Sequence, residues 1–317
     1  MWYLLLLIAG FVPLIIGANL LVDNASSLAK RLNIPSMVIG LTIVGFGTSA
    51  PELVVNLISS FEKNSDLALG NIIGSNIFNI LGILGISAIV YPLIIKKNTT
   101  WIEIPLCLLS ALTVILLAND KIIDKMNYSV ISRIDGYILL LFFIIFLSYN
   151  ITLLKSEQYN EEILVKNNPV HKSVLLILLG LILLIAGGRI IVISAVEVAS
   201  AIGLSQRVIA LTIVSIGTSL PELATSVIAA RKKYSDIAIG NIVGSNIFNV
   251  FFILGVSAVI HPVSLQPLSN IDMSLNILAS LLLFIFIFTG KGRRIGMKEG
   301  AFFVLIYLAY IGFLIIA

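Results

Sequence analysis

The chain is short of the residues from which soluble enzymes and metalloproteins are commonly built. Of its 317 residues, one is cysteine, two are histidine and 11% are charged, against about 25% charged in a soluble domain. The lone Cys107 excludes an intramolecular disulfide and a thiolate metal cluster; lying in an apolar run, it reads as packing. His171 and His261 fall in or beside loops with no partner pattern and read as surface residues, which leaves no soft-ligand set for zinc or copper. So little charge excludes a large soluble domain. The formal net charge of +4 does not point to nucleic acid, because basic residues in such a chain report membrane topology first.

What is present is apolar: 59% hydrophobic residues and a mean hydropathy of +1.10. The sequence predicts an all-α membrane protein. A spanning helix takes about 20 residues, and polar, Gly- or Pro-bearing breaks divide the chain into ten candidates: 2–29, 34–60, 66–91, 99–118, 133–153, 173–201, 205–230, 236–260, 270–289 and 298–316. These runs are too long and too continuous for the alternating strands of a barrel. The N-terminus, MWYLLLLIAG, has no basic leader and no small-residue cleavage site, so it is expected to be a retained first span. The only long polar stretch joins helices five and six. It divides the chain into 1–153, a polar connector 154–172 on the cytoplasmic side, and 173–317.

With the N-terminus outside, 14 Lys and Arg fall in inner loops and 5 in outer loops. The positive-inside bias therefore predicts that both termini are outside. The chain also repeats itself. A shift of 170 residues superposes Val38–Pro92 on its second copy without a gap, with 32 of 55 positions identical. Gly47–Glu52 (GTSAPE) and Gly70–Asn79 (GNIIGSNIFN) return as Gly217–Glu222 (GTSLPE) and Gly240–Asn249 (GNIVGSNIFN). The shift crosses five helices, an odd number, so the second copy is expected to be inverted across the membrane. Inverted repeats are the common plan of secondary transporters, with the site near the midplane.

Each block sets polar groups in an apolar run, where they are expensive unless they have work. Glu52 and Glu222 each follow a proline, which breaks helical hydrogen bonding and frees carbonyls around Gly45–Thr48 and Ser215–Thr218. With the hydroxyls of Thr48, Ser49, Ser75, Thr218, Ser219 and Ser245 and the amides of Asn79 and Asn249, all donors are oxygen. Such a set suits hard cations: Ca²⁺ takes about 6–8 oxygens, and Na⁺ accepts the same types. Two facing carboxylates do not both ionise in a low-dielectric cavity without a cation or proton. One Ca²⁺ balances both charges, and sodium ions or protons do the same, which makes exchange chemically reasonable.

Blander roles fit other residues. Gly70/Gly74 and Gly240/Gly244 are spaced for close helix approach, and Asp66 and Asp236 open their helices as caps or dipole partners. Arg189 stands where the first copy has Asn19, and either snorkels or pairs with an acid such as Glu197.

The doubled blocks resemble the alpha repeats of the cation/calcium antiporter superfamily, which includes the sodium/calcium exchangers, and most of all its short prokaryotic branch. The resemblance covers essentially the whole chain. It implies ten helices in two inverted five-helix halves, with helices two, three, seven and eight around the ions and helices one and six sliding across them. It further implies Glu52 and Glu222 as central Ca²⁺ ligands shared with Na⁺. Thr48, Thr218, Ser75, Ser245 and the carbonyls of Gly45 and Ser215 would complete the sites, Ser49 and Ser219 would support them, and Asn79 and Asn249 would lie between the glutamates. Asn249 departs from relatives with an aspartate there, which argues against the potassium-dependent branch, and the connector is too short for the regulatory calcium-binding domains of animal exchangers.

The function expected is therefore Ca²⁺/Na⁺ antiport across the plasma membrane by alternating access, with no cofactor, no enzymatic activity, the lipid bilayer as surroundings and a monomer as the working unit. Two alternatives remain. Protons could replace sodium as the driving ion, although proton-exchanging relatives usually alter the Thr-Ser-x-Pro element. A passive cation channel could use the same oxygens, although an inverted repeat around one acidic pair suits alternating access better.

Overall fold

The computed structural model describes residues 2–123, 125–156, 168–201, 215–265, 269–289 and 292–316. The chain is helical throughout: α1 (Trp2–Leu32), α2 (Ser36–Thr48 and Ala50–Phe61), α3 (Ser65–Val90), α4 (Thr99–Leu117), α5 (Arg133–Ser156), α6 (Val170–Ala201), α7 (Ser215–Thr218 and Leu220–Arg231), α8 (Ser235–Ile260), α9 (Ser269–Phe286) and α10 (Met297–Ile316). Eight of these are long and apolar enough to cross a membrane, and α2, bent by 47° at Ser49, makes nine among the described residues. Positions 205–214 of the predicted seventh helix, with Arg207, lie outside the described residues, as do 157–167 of the connector. Helices α5 and α6 also reach further into that connector than the hydropathy pattern indicated, to Ser156 and from Val170.

Burial identifies the centre. In α3 and α8, 83% of the apolar window is buried, against 17–39% in α1, α4, α5, α6, α9 and α10, so α3 and α8 form the middle and those six face outward. They carry the GNxxGSNIFN strings, whose small residues permit close approach. A methyl placed on Gly244 would come within 2.6 Å of the Leu41 carbonyl oxygen, and one on Gly240 within 3.0 Å of the Gly40 Cα, which brings α8 hard against the first part of α2.

The outer pair, α1 and α6, lie along one another on glycines that cross between the copies. A methyl on Gly17 would sit 2.6 Å from the Gly180 oxygen, and one on Gly187 2.8 Å from the Gly10 oxygen. Since Gly10 and Gly180, and Gly17 and Gly187, are related by the 170-residue shift, the contact is its own mirror. Two-residue bridges repeat the exchange: Leu93–Ile94 after α3 pairs with Arg294–Ile295 before α10, and Val130–Ile131 before α5 pairs with Val263–Ser264 after α8.

Candidate cation site

Each GTSxPE string folds into a broken helix. The proline cannot donate to the ladder, and the residue two places before it, Ser49 or Ser219, leaves helical geometry (φ −81°, ψ 8° and φ −90°, ψ 10°). Proline then sits in the first turn of the next helical piece, where its missing N–H costs nothing, followed at once by the glutamate. The break thus places a hydroxyl and a carboxylate in the interior, with Glu52 1% and Glu222 0% exposed.

The hydroxyls serve the opposite copy. Ser219 Oγ donates to Glu52 Oε1 at 2.8 Å, and Ser49 Oγ donates to Glu222 Oε1 at 3.0 Å. Ser75 Oγ adds a longer bond to Glu52 Oε1 at 3.5 Å. Thr48 Oγ1 lies 3.0 Å from both the Val44 oxygen and Asn241 Oδ1. The Gly45 carbonyl, expected to be free, accepts from the Ser49 amide at 3.1 Å and from the Thr48 and Ser245 hydroxyls at 3.3 Å each. Thr218 Oγ1 is 3.4 Å from Asn71 Oδ1. Ser215 opens the described part of α7, and its side chain lies outside the described atoms.

Asn79 and Asn249 stand where α3 and α8 loosen into π-helical turns, Phe78–Leu84 and Asn249–Leu254, a local widening common at functional sites. Their Nδ2 atoms donate to Asn246 Oδ1 (2.9 Å) and Asn76 Oδ1 (3.0 Å) across the centre. What remains is a set of acceptors. Glu52 Oε2, Glu222 Oε2, Asn79 Oδ1 and Asn249 Oδ1 are buried and have no hydrogen donor. A buried acceptor without a donor is costly, and a cation meets that demand. Among the described residues no cluster of three or more His, Cys, Asp and Glu occurs, so the two carboxylates have only neutral oxygens for company.

Four residues were overlooked in the sequence although they lie inside the repeated strings. Asn71 and Asn241 tie α3 to α2 and α8 to α7: Asn71 Nδ2 donates to Asn56 Oδ1 at 2.7 Å, and Asn241 Nδ2 to Ser226 Oγ at 2.8 Å. Asn76 and Asn246 join the two copies. Their repetition at the same 170-residue spacing was the available signal.

Asp66 and Asp236 lie in the first turns of α3 and α8, where an acid suits the helix dipole, but neither is the cap. Asn64, not Asp66, caps α3 by accepting from the Leu67 amide at 3.1 Å. Asp236 caps nothing; it pairs with Lys96 at 2.5 Å. Arg189 and Glu197 are both exposed, and no ion pair joins them among the described residues.

Comparison with known proteins agrees along the whole length. The family model described as sodium/calcium exchanger protein matches residues 2–152 and 172–316. The inner membrane protein YrbG of Escherichia coli K12 is 35% identical over 321 aligned positions, covering 96% of each chain. The sodium/calcium exchanger MaX1 of Methanosarcina acetivorans is 28% identical, covering 97% of each. A solved structure of the sodium-calcium exchanger NCX_Mj, soaked with 10 mM Na⁺ and zero Ca²⁺, superposes with a TM-score of 0.84 at 31% identity and covers 98% of both chains.

Proposed function

The chain belongs to the sodium/calcium exchanger family, a family of membrane antiporters, and we propose that it exchanges Ca²⁺ for Na⁺ across the plasma membrane by alternating access. The observation that carries this reading is the quartet of buried acceptors without donors, one carboxylate and one amide oxygen from each copy. Glu52 and Glu222 supply the charge. The hydroxyls of Thr48, Thr218, Ser75, Ser245, Ser49 and Ser219, the carbonyls of Gly45 and Ser215, and the amide oxygens of Asn79 and Asn249 supply neutral ligands in the same space.

Charge then couples the two ions. One Ca²⁺ neutralises both carboxylates, whereas monovalent ions must bind together to do so, and a site holding two bare carboxylates is too costly to carry through a low-dielectric interior. Occupancy by either cargo therefore licenses the switch, and an empty site forbids it. On this reading the chain forms ten helices in two inverted halves of five, 1–153 and 173–317, with both termini outside and the connector in the cytoplasm. The α1–α6 pair moves as a unit over the four helices that hold the ions, and one chain contains the whole device.

The test is Ca²⁺ uptake into vesicles containing the purified protein, driven in turn by imposed Na⁺, K⁺ and H⁺ gradients. Uptake that follows sodium at clamped pH supports the proposal. Uptake that follows only the proton gradient replaces sodium by protons as the coupling ion, and unitary currents of millisecond openings make the protein a channel.

A further inference from the structure

At the centre of the molecule four asparagines from the two copies form one connected set. Asn76 Nδ2 donates to the Asn246 carbonyl at 3.3 Å, and Asn246 Nδ2 donates to the Asn76 carbonyl at 3.3 Å. The two residues are 170 positions apart, each the repeat mate of the other, so this reciprocal pair sits where the copies meet. A backbone carbonyl can only accept. It therefore dictates that each amide turns its nitrogen inward and its Oδ1 outward. Those Oδ1 atoms receive Asn79 Nδ2 (2.9 Å, at Asn246) and Asn249 Nδ2 (3.0 Å, at Asn76), and this leaves Asn79 Oδ1 and Asn249 Oδ1 as the buried oxygens without donors. The orientation of all four amides thus follows from two backbone carbonyls.

We propose that Asn76 and Asn246 are positioning residues for transport, a relay that holds the Asn79 and Asn249 amides with their oxygens, not their nitrogens, presented to the cation. All four side chains are buried (Asn76, Asn79, Asn246 and Asn249 each 1% exposed), so bulk solvent does not compete for their hydrogen bonds in the intact fold. An Asn79 amide released from Asn246 can turn its Nδ2 toward the ions, and an N–H donor aimed at a cation is repulsive as well as useless as a ligand. The pairing is specific: Asn246 orients Asn79, and Asn76 orients Asn249.

This inference deepens the exchange reading and rests on it for the identity of the cargo. The experiment keeps the two apart by measuring Ca²⁺ binding directly, as the Ca²⁺ concentration that half-maximally raises the unfolding temperature of the purified full-length chain, beside Ca²⁺ flux. Asn246→Ala and Asn79→Ala are each expected to weaken apparent Ca²⁺ affinity by roughly tenfold, about 1.4 kcal/mol. The double variant should be no more than about twofold weaker than either, because residues acting through one another are not additive. Asn246→Ala in an Asn249→Ala background should retain its full effect. The mirror cycle, Asn76→Ala with Asn249→Ala, should couple in the same way and is read if Asn246→Ala does not fold. Additive effects in the 79/246 or 76/249 cycle, or a loss of stability with unchanged Ca²⁺ affinity, overturn the relay. A wild-type chain that neither binds nor moves Ca²⁺ overturns the exchange reading instead.

Discussion

Gly70 and Gly240 occupy equivalent places in the two copies, yet a methyl added to each meets different surroundings. At Gly240 it would lie 3.0 Å from the Gly40 Cα, the Leu41 nitrogen and the Met37 oxygen, all backbone atoms unable to give way locally; at Gly70 no atom lies within 4 Å. Overpacking costs about 1–3 kcal/mol, and with three backbone contacts the upper end applies. Both substitutions gain about 1 kcal/mol of helix propensity, a contribution that cancels in the comparison. Gly240→Ala should therefore lose about 2 kcal/mol net and Gly70→Ala gain about 1. Unfolding 317 residues at about 2.1 cal/mol/K each releases roughly 0.67 kcal/mol/K, so 1 kcal/mol moves Tm by roughly 1.5 °C. Thermal unfolding in detergent should place the two variants about 4–5 °C apart, on opposite sides of wild type. If the halves exchange roles in the other state, as proposed, Gly70 would there take the crowded place that Gly240 has here. Gly70→Ala should then slow Ca²⁺ exchange by roughly 5- to 100-fold in spite of its higher Tm. Equal Tm shifts for the pair, or wild-type exchange by Gly70→Ala, would refute the reasoning.

Other outcomes follow from the same contacts. Glu52→Gln and Glu222→Gln should yield folded protein that Ca²⁺ no longer stabilises against heat and that moves no Ca²⁺; retained stabilisation by Ca²⁺ would remove the carboxylates from the site. Ser219→Ala deletes a 2.8 Å bond to Glu52 and Ser75→Ala one of 3.5 Å. With hydrogen bonds to charged groups worth about 1.5–3 kcal/mol, Ca²⁺ affinity should fall by at least about tenfold in the first and only a few-fold in the second, and the reverse order in a titration would contradict the geometry. The Lys232–Asp23 pair, 2.5 Å apart with side chains 27% and 26% exposed, should contribute less than about 1 kcal/mol; a Lys232→Ala variant whose Tm drops by more than about 2 °C would show a larger role. Cys107, 2% exposed, should resist a maleimide in the folded protein and react fully once unfolded, as followed by mass spectrometry.

Hydropathy alone located the eight long apolar helices and the bent α2 found among the described residues, because an apolar run of this length has few other stable fates in a membrane, and doubling of the GTSxPE and GNxxGSNIFN strings pointed to the residues that the structure buries around Glu52 and Glu222. Helix ends were harder to read. α5 and α6 extend into mixed-charge sequence at Ser156 and Val170, where helical hydrogen bonding continues after hydropathy has fallen. The roles of Asp66 and Asp236 were only partly legible for a related reason: both lie in the first turn, where an acid complements the helix dipole, but the cap of α3 is Asn64 and the ion-pair partner of Asp236 is Lys96, and these depend on a local turn and on a loop more than a hundred residues away. The Asn76–Asn246 pair was invisible as a pair, since the sequence displays two identical letters but not that the fold sets them face to face. The Gly45 carbonyl was expected to be freed near the proline, yet the amide that Pro51 lacks is the one that would serve Gly47, and Gly45 keeps the Ser49 amide beside hydroxyls from two different helices.

The exchanged serines also set a timetable for biogenesis. The donor that sits 2.8 Å from Glu52 is Ser219, 167 residues later in the chain. At a synthesis rate of about 5–20 residues per second, Glu52 is committed to the bilayer roughly 8 to 33 s before that hydroxyl is made. Until then the nascent first half carries, within an apolar helix, an acid without its principal donor. Within the first half only the longer Ser75 bond at 3.5 Å is available to that carboxylate, and the full set of donors exists only once the second half has been made.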